Sequence, residues 1–106
     1  MQTVVIRFYV SERQHHHSEL MHEWLLRLAQ QLELPGGSAF RAIAGYGRHR
    51  HMHDETFFEL AGELAVAVEF ILEAEQADRL IAAIDAEQLQ LHYVRYAVEF
   101  KATAGK

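Results

Sequence analysis

Four stretches of this chain are apolar at every second position, two more are apolar at helical spacing, and their order limits the fold. Residues 3–10 place Val4, Ile6, Phe8 and Val10 on one side, with Val5, Arg7 and Tyr9 on the other, the signature of a strand. After a polar loop over 11–17, Ser18 is the expected N-cap of a helix. Its stripe is Leu20, Met21, Trp24, Leu25, Leu28 and Leu32, and Pro35-Gly36-Gly37 is expected to stop it. Residues 38–44 read as a short strand, with Phe40, Ala42 and Ala44 opposite Ala39, Arg41 and Ile43. Phe57, Phe58 and Leu60 extend a hairpin arm, and 64–72 is a strong strand with Leu64, Val66, Val68, Phe70 and Leu72 on one face. A second helix over 74–87 carries Ala77, Leu80, Ile81 and Ile84, and a last strand over 92–100 carries Val94, Tyr96, Val98 and Phe100 on one face.

The order β-α-β-β-α-β predicts an α+β, ferredoxin-like fold: an antiparallel sheet with both helices on one face. By this reading the uncovered face holds Val5, Arg7, Tyr9, Arg41, Ile43, Ala65, Ala67, Glu69, Ile71, Tyr93, Arg95, Ala97 and Glu99. Such a mixed apolar and charged face predicts burial against other copies of the chain. At 106 residues the chain is expected to form one domain, 1–106, and its 50% apolar content supports a single modest core.

Composition removes several function classes. The net charge of −5 argues against general nucleic-acid binding, which needs a basic surface. No apolar run reaches the roughly 18 residues of a membrane span, and the start Met-Gln-Thr-Val carries no signal-peptide pattern. The absence of cysteine excludes disulfides and thiolate metal sites and fits a cytoplasmic protein. Nucleophilic catalysis finds no Gly-x-Ser-x-Gly elbow, and Ser11, Ser18 and Ser38 lack motif context. His53-Asp54 are sequence neighbours, which rarely form the hydrogen bond a general base needs. The chain is therefore read as a non-enzyme.

The segment Tyr46-Gly47-Arg48-His49-Arg50-His51-Met52-His53-Asp54 is the expected contact point, because its side chains are donors, cations and metal ligands rather than core. His49, His51 and His53 fall at i, i+2 and i+4, so an extended backbone would point all three to one side. Neutral imidazoles so placed suit Zn²⁺, Ni²⁺, Co²⁺ or Cu²⁺, with Asp54 or Glu55 completing the shell. His15-His16-His17 is a second cluster, but adjacent side chains on a strand point opposite ways, so sharing an ion requires a bend. His22 and His92 read as ordinary surface and edge residues.

Arg41-Ala42-Ile43-Ala44-Gly45-Tyr46-Gly47, followed by His53, resembles the motif of a PII-like family catalogued as domain of unknown function 190. Its pattern is roughly Arg-Gly-Ile-x-Gly-Phe/Tyr-Gly, a few residues, then His-Thr/Ser. The Arg-x-Tyr-Val of the first strand (Arg7, Tyr9, Val10) and the order of elements agree with it. The resemblance implies a trimer that binds an adenine nucleotide (ADP, ATP or AMP) in clefts between subunits. The loop at 46–56 would then dock on a partner such as a membrane transporter, a channel or an enzyme. It makes Arg41, Gly45, Gly47 and His53 the cleft residues, and Tyr46, Arg48, His49, Arg50 and His51 the partner-facing loop. The chain departs from the family at Ala42 and Asp54. It departs again in the connection 85–90, which lacks glycine and cations and carries Asp85 and Glu87 where a phosphate would need positive groups. Two alternatives stand beside this reading. One is a metal-responsive version using His49, His51 and His53. The other is a small dimeric ferredoxin-like enzyme, which the nearly all-apolar core faces disfavour.

Overall fold

The computed structural model describes residues 2–45 and 65–105. Two long strands form the centre of the fold: β1, Thr3–Ser11, and β5, Ala65–Glu73. They pair antiparallel along their whole length, with Ile6 opposite Phe70 and Phe8 opposite Val68. A short hairpin, β2 (His15–His16) and β3 (Glu19–Leu20), leads into helix α1, Met21–Gln31. Strand β4, Ser38–Arg41, pairs with β5. Helix α2, Ala74–Ala86, follows β5, and strand β6, His92–Ala97, closes the sheet against β1. The sheet order is β4-β5-β1-β6 with every pair antiparallel, which is the ferredoxin-like arrangement expected from the sequence. Among the described residues, no helix is long and apolar enough to cross a membrane.

The core lies between the helices and one face of the sheet. Val4, Ile6, Phe8 and Val10 of β1 meet Val66, Val68, Phe70 and Leu72 of β5, beneath Met21, Trp24, Leu25 and Ala29 of α1 and Ala77, Leu80 and Ile84 of α2. Burying each large apolar side chain contributes about 1.5–3 kcal/mol. Phe8 and Phe70 meet edge to face with centroids 6.4 Å apart. Gly37, just before β4, is needed for close approach, because a Cβ there would collide with the Phe70 ring.

Both ends of α1 differ from expectation. Ser18 is not its cap: His17 and Ser18 have φ of 55° and 67° and form the two-residue turn of the β2–β3 hairpin, a turn type that requires positive φ at both positions. The helix instead begins at Met21, whose N–H donates to the Gln14 carbonyl at 2.7 Å. Its C-terminus is set before Pro35. Glu33 turns left-handed at φ 62°, its N–H reaches the Gln30 carbonyl, and the Leu34 N–H reaches the Ala29 carbonyl, both at 3.0 Å. This is a Schellman motif with buried Leu34 as its apolar contact. At the start of α2, Gln76 Oε1 accepts the Glu73 N–H at 2.9 Å, half of a capping box.

The edge strands overturn part of the face assignment. β6 sets Ala97 opposite Val4, Arg95 opposite Ile6 and Tyr93 opposite Phe8, so Tyr93, Arg95 and Ala97 lie on the helix side. Arg95 donates to Asp78 Oδ1 at 2.8 Å and to the Ala74 carbonyl at 3.2 Å, both on α2. Tyr93 packs on Phe8 with centroids 5.5 Å apart. Val94 and Tyr96, expected in the core, stand on the open face beside Arg7 and Val5. β4 is inverted in the same way: Arg41 lies opposite Val66, and Phe40 lies opposite Ala67 on the open face. Both edge strands are also shorter than expected, ending at Arg41 and Ala97.

The left-handed Glu33 yields a stability prediction. A non-glycine residue there costs about 1–2 kcal/mol, while glycine gives back about 0.5–1 kcal/mol in unfolded-state entropy. Glu33→Gly should therefore stabilise the chain by about 0.5–1 kcal/mol, read as a higher urea midpoint at unchanged slope.

Candidate functional site

Strand directions bring several polar groups to one end of the sheet. β1 and β4 finish there, and β5 and β6 begin there, because Ser11 pairs with Ala65, Arg41 with Val66 and Tyr9 with His92. The chain leaves the described fold at Gly45 and re-enters at Ala65, so the segment singled out in the sequence is anchored at this end. Tyr46, Gly47, Arg48, His49, Arg50, His51 and His53 all lie outside the described residues.

Arg41 and Gly45 are the two described members of the expected cleft set. Arg41 is exposed and its Nε lies 3.0 Å from Glu12 Oε1, an ion pair joining the end of β4 to the turn after β1. The Ala42 N–H continues the β4–β5 ladder by donating to the Ala65 carbonyl at 2.9 Å. Gly45 has no positive φ, and a Cβ there would meet nothing within 4 Å. Its backbone is thus neither left-handed nor crowded, and what glycine offers at this position is an unshielded peptide.

A second polar centre at the same end joins residues 70 and 71 apart in the chain. His16 Nε2 lies 3.0 Å and His17 Nε2 3.1 Å from the same oxygen, Glu87 Oε1. The left-handed turn at His17–Ser18 supplies the bend that brings the adjacent rings together, with centroids 4.0 Å apart. The His16 ring is largely buried and stands edge-on to Trp24 at 4.6 Å. Hydrogen bonds from His16 first and then His17 hold the Glu87 carboxyl below the ordinary carboxylate range. Glu87 caps the end of α2, in the connection whose acidity the sequence presented as hostile to phosphate. The two rings now face that charge. His15 sits beside them opposite Leu20, and His22 is half-buried with its Nδ1 lacking a hydrogen-bond partner among the described residues.

The hairpin is clamped onto α1. Arg27 Nη2 donates to Glu19 Oε1 at 2.7 Å, and Arg27 Nε reaches both carboxylate oxygens at 3.1–3.2 Å, a forked geometry stronger than a single-point pair.

On the open face, Tyr9 (41% exposed), Phe40 (55%), Val94 (41%) and Tyr96 (45%) form an apolar field. Arg7 and Glu69 stand within it, 3.6 Å apart, and Arg7 donates to the Tyr96 hydroxyl at 3.3 Å. A concavity of about 460 Å³ opens at the far side of this field, lined by Gly36, Ser38, Phe40, Glu69, Ile71 and Phe100.

The sequence identified Arg41 but not Glu12, and His16–His17 but not Glu87. Neither partner carries a local signal, since both contacts depend on sheet closure.

The sequence profile of the DUF190 family, described as "Uncharacterized ACR", matches residues 3–98. A UPF0166 protein of Aquifex aeolicus (strain VF5) is 34% identical over 80 residues, covering 76% of each chain.

The Glu19–Arg27 clamp yields a pH prediction. The hydrogen bond from Arg27 lowers the Glu19 carboxyl below its ordinary value. Its contribution to stability is therefore complete above the ordinary carboxylate range and lost as pH falls through the depressed folded value. Carbon-13 NMR should find Glu19 titrating below exposed glutamates, and returning to them in Arg27→Ala.

Proposed function

This chain belongs to the DUF190 family, and we propose that it is a small PII-like regulatory protein rather than an enzyme. It assembles as a trimer, binds an adenine nucleotide between subunits, and reports occupancy to a partner protein through the segment 46–56. A membrane transporter is the leading partner class.

The observation that carries this reading is the open sheet face. Tyr9, Phe40 and Tyr96 are each about half exposed on it. Given the area of aromatic side chains, together they leave roughly 300 Å² uncovered. Covering that area is worth on the order of 7 kcal/mol per subunit, comparable to the ~4–15 kcal/mol cost of association. Matching faces on several copies meet that cost; a single face exposed to water gains nothing from it. The Arg7–Glu69 pair, set among apolar residues, fixes how the faces register.

Arg41 supports the effector part of the reading. Its guanidinium stands exposed at the base of the 46–56 segment, paired with Glu12. An anionic effector would compete with Glu12 for it. Release of Glu12 would then bias the chain leaving β4, a population shift between loop poses.

Isothermal titration with ADP, ATP and AMP tests the proposal. One nucleotide per subunit is expected, weakened about 10- to 100-fold in Arg41→Ala, as for loss of one charged hydrogen bond of about 1.5–3 kcal/mol. Absence of binding by all three nucleotides would sink the effector reading.

A further inference from the structure

We propose that His16, His17 and Glu87 form a binding site for one divalent late first-row transition ion, of the class Co²⁺, Ni²⁺, Cu²⁺ or Zn²⁺. Its ligands are none of the residues Arg41, Gly45, Gly47 and His53 assigned to the nucleotide cleft, nor His49 and His51.

One ring nitrogen from each histidine and one carboxylate oxygen all lie within 4.8 Å of one another. A tetrahedral ion with ligands at about 2.0–2.1 Å needs them about 3.3–3.4 Å apart. The two nitrogen-to-oxygen separations, 3.0 and 3.1 Å, are within a few tenths of an ångström of that, and both converge on one carboxylate oxygen of an exposed side chain that can shift to admit an ion. Two imidazoles and a carboxylate are the donor set of the borderline ions and leave a fourth position for water. Calcium and magnesium, which prefer oxygen shells, are disfavoured.

The ligands sit on fixed elements, which separates this site from a chance surface cluster. His17 and Ser18 keep positive φ without glycine or asparagine, which such turns favour. The hairpin carrying both histidines is held by the Arg27–Glu19 fork and by the Met21 N–H to Gln14 carbonyl bond. Trp24, itself buried, sets the plane of the His16 ring. Glu87 is fixed at the end of α2, where Gln88 turns left-handed at φ 60°. An ion here would tie the entrance of α1 to the exit of α2, at the sheet end from which the 46–64 segment is anchored.

Trp24 is the chain's one tryptophan and lies against a proposed ligand, so its emission reports on this site. The full chain, stripped with EDTA, is titrated with Co²⁺ near neutral pH. Saturable quenching at one equivalent per subunit is expected, with visible absorption of a tetrahedral Co²⁺ complex, and emission should return on adding Zn²⁺, the tighter-binding ion. Changes in residues that merely orient a metal ligand weaken binding about 10- to 100-fold. Glu87→Gln and His17→Ala, which remove a ligand outright, should therefore weaken it at least tenfold. Both positions are solvent-exposed, and unchanged far-ultraviolet circular dichroism would confirm folding. The triple variant His49→Ala/His51→Ala/His53→Ala should quench as the parent does. The proposal is overturned if no saturable quenching occurs, if Glu87→Gln and His17→Ala bind as the parent does, or if the triple variant alone abolishes binding.

Discussion

The pairing of β1 with β5 is the contact on which the rest of the fold depends. It runs without a break from Thr3 opposite Glu73 to Ser11 opposite Ala65. On one side it presents eight apolar residues, Val4 to Val10 and Val66 to Leu72 at alternate positions, to the two helices. Slipping the pair by one residue would send every one of them to the other face, which makes this register the most strongly specified in the molecule. The helices are amphipathic and, among the described residues, this is the apolar surface they pack on, so their placement follows from the same pair.

The edge strands obey a different constraint. Among the described residues each pairs with a single neighbour, and the helices leave the sheet margins only partly covered. β6 turns Arg95 inward, where it finds Asp78 and the Ala74 carbonyl of α2, and turns Val94 and Tyr96 outward. β4 does the same with Arg41 and Phe40. The open face therefore gains Phe40 and Tyr96 from its margins and loses Tyr93, Arg41 and Arg95, while Arg7 and Glu69 stay on it. A sheet face that gathers apolar side chains from its edges, with an Arg7–Glu69 pair among them, has the character of an interface rather than of a wetted surface.

These margins mark where the sequence stops being legible. Strict alternation over nine residues located β1 and β5 to within one residue, and helical spacing did the same for α2, because both faces of those segments differ sharply. For 38–44 and 92–100 alternation existed, but hydrophobicity states only that a side is covered and not by what; assigning the more apolar side to the core was the error. The start of α1 was missed because His17 and Ser18 occupy a turn that normally advertises itself with Asn or Gly. The candidate site divided similarly. Arg41 was visible as a motif residue. Its partner Glu12, and the meeting of His16 and His17 with Glu87, depend on contacts across 29 residues or more that no local pattern encodes. The segment that first drew attention, Arg48 to Asp54, lies outside the described residues.

Coverage of the open face by other copies of the chain is tested most directly by sedimentation equilibrium of the parent beside Tyr96→Lys. A parent mass of three 12.2 kDa chains, falling toward one chain in the variant while its circular dichroism is unchanged, is the predicted result. A parent that sediments as a single chain at micromolar concentration, or an assembly indifferent to a charge placed at Tyr96, would contradict it.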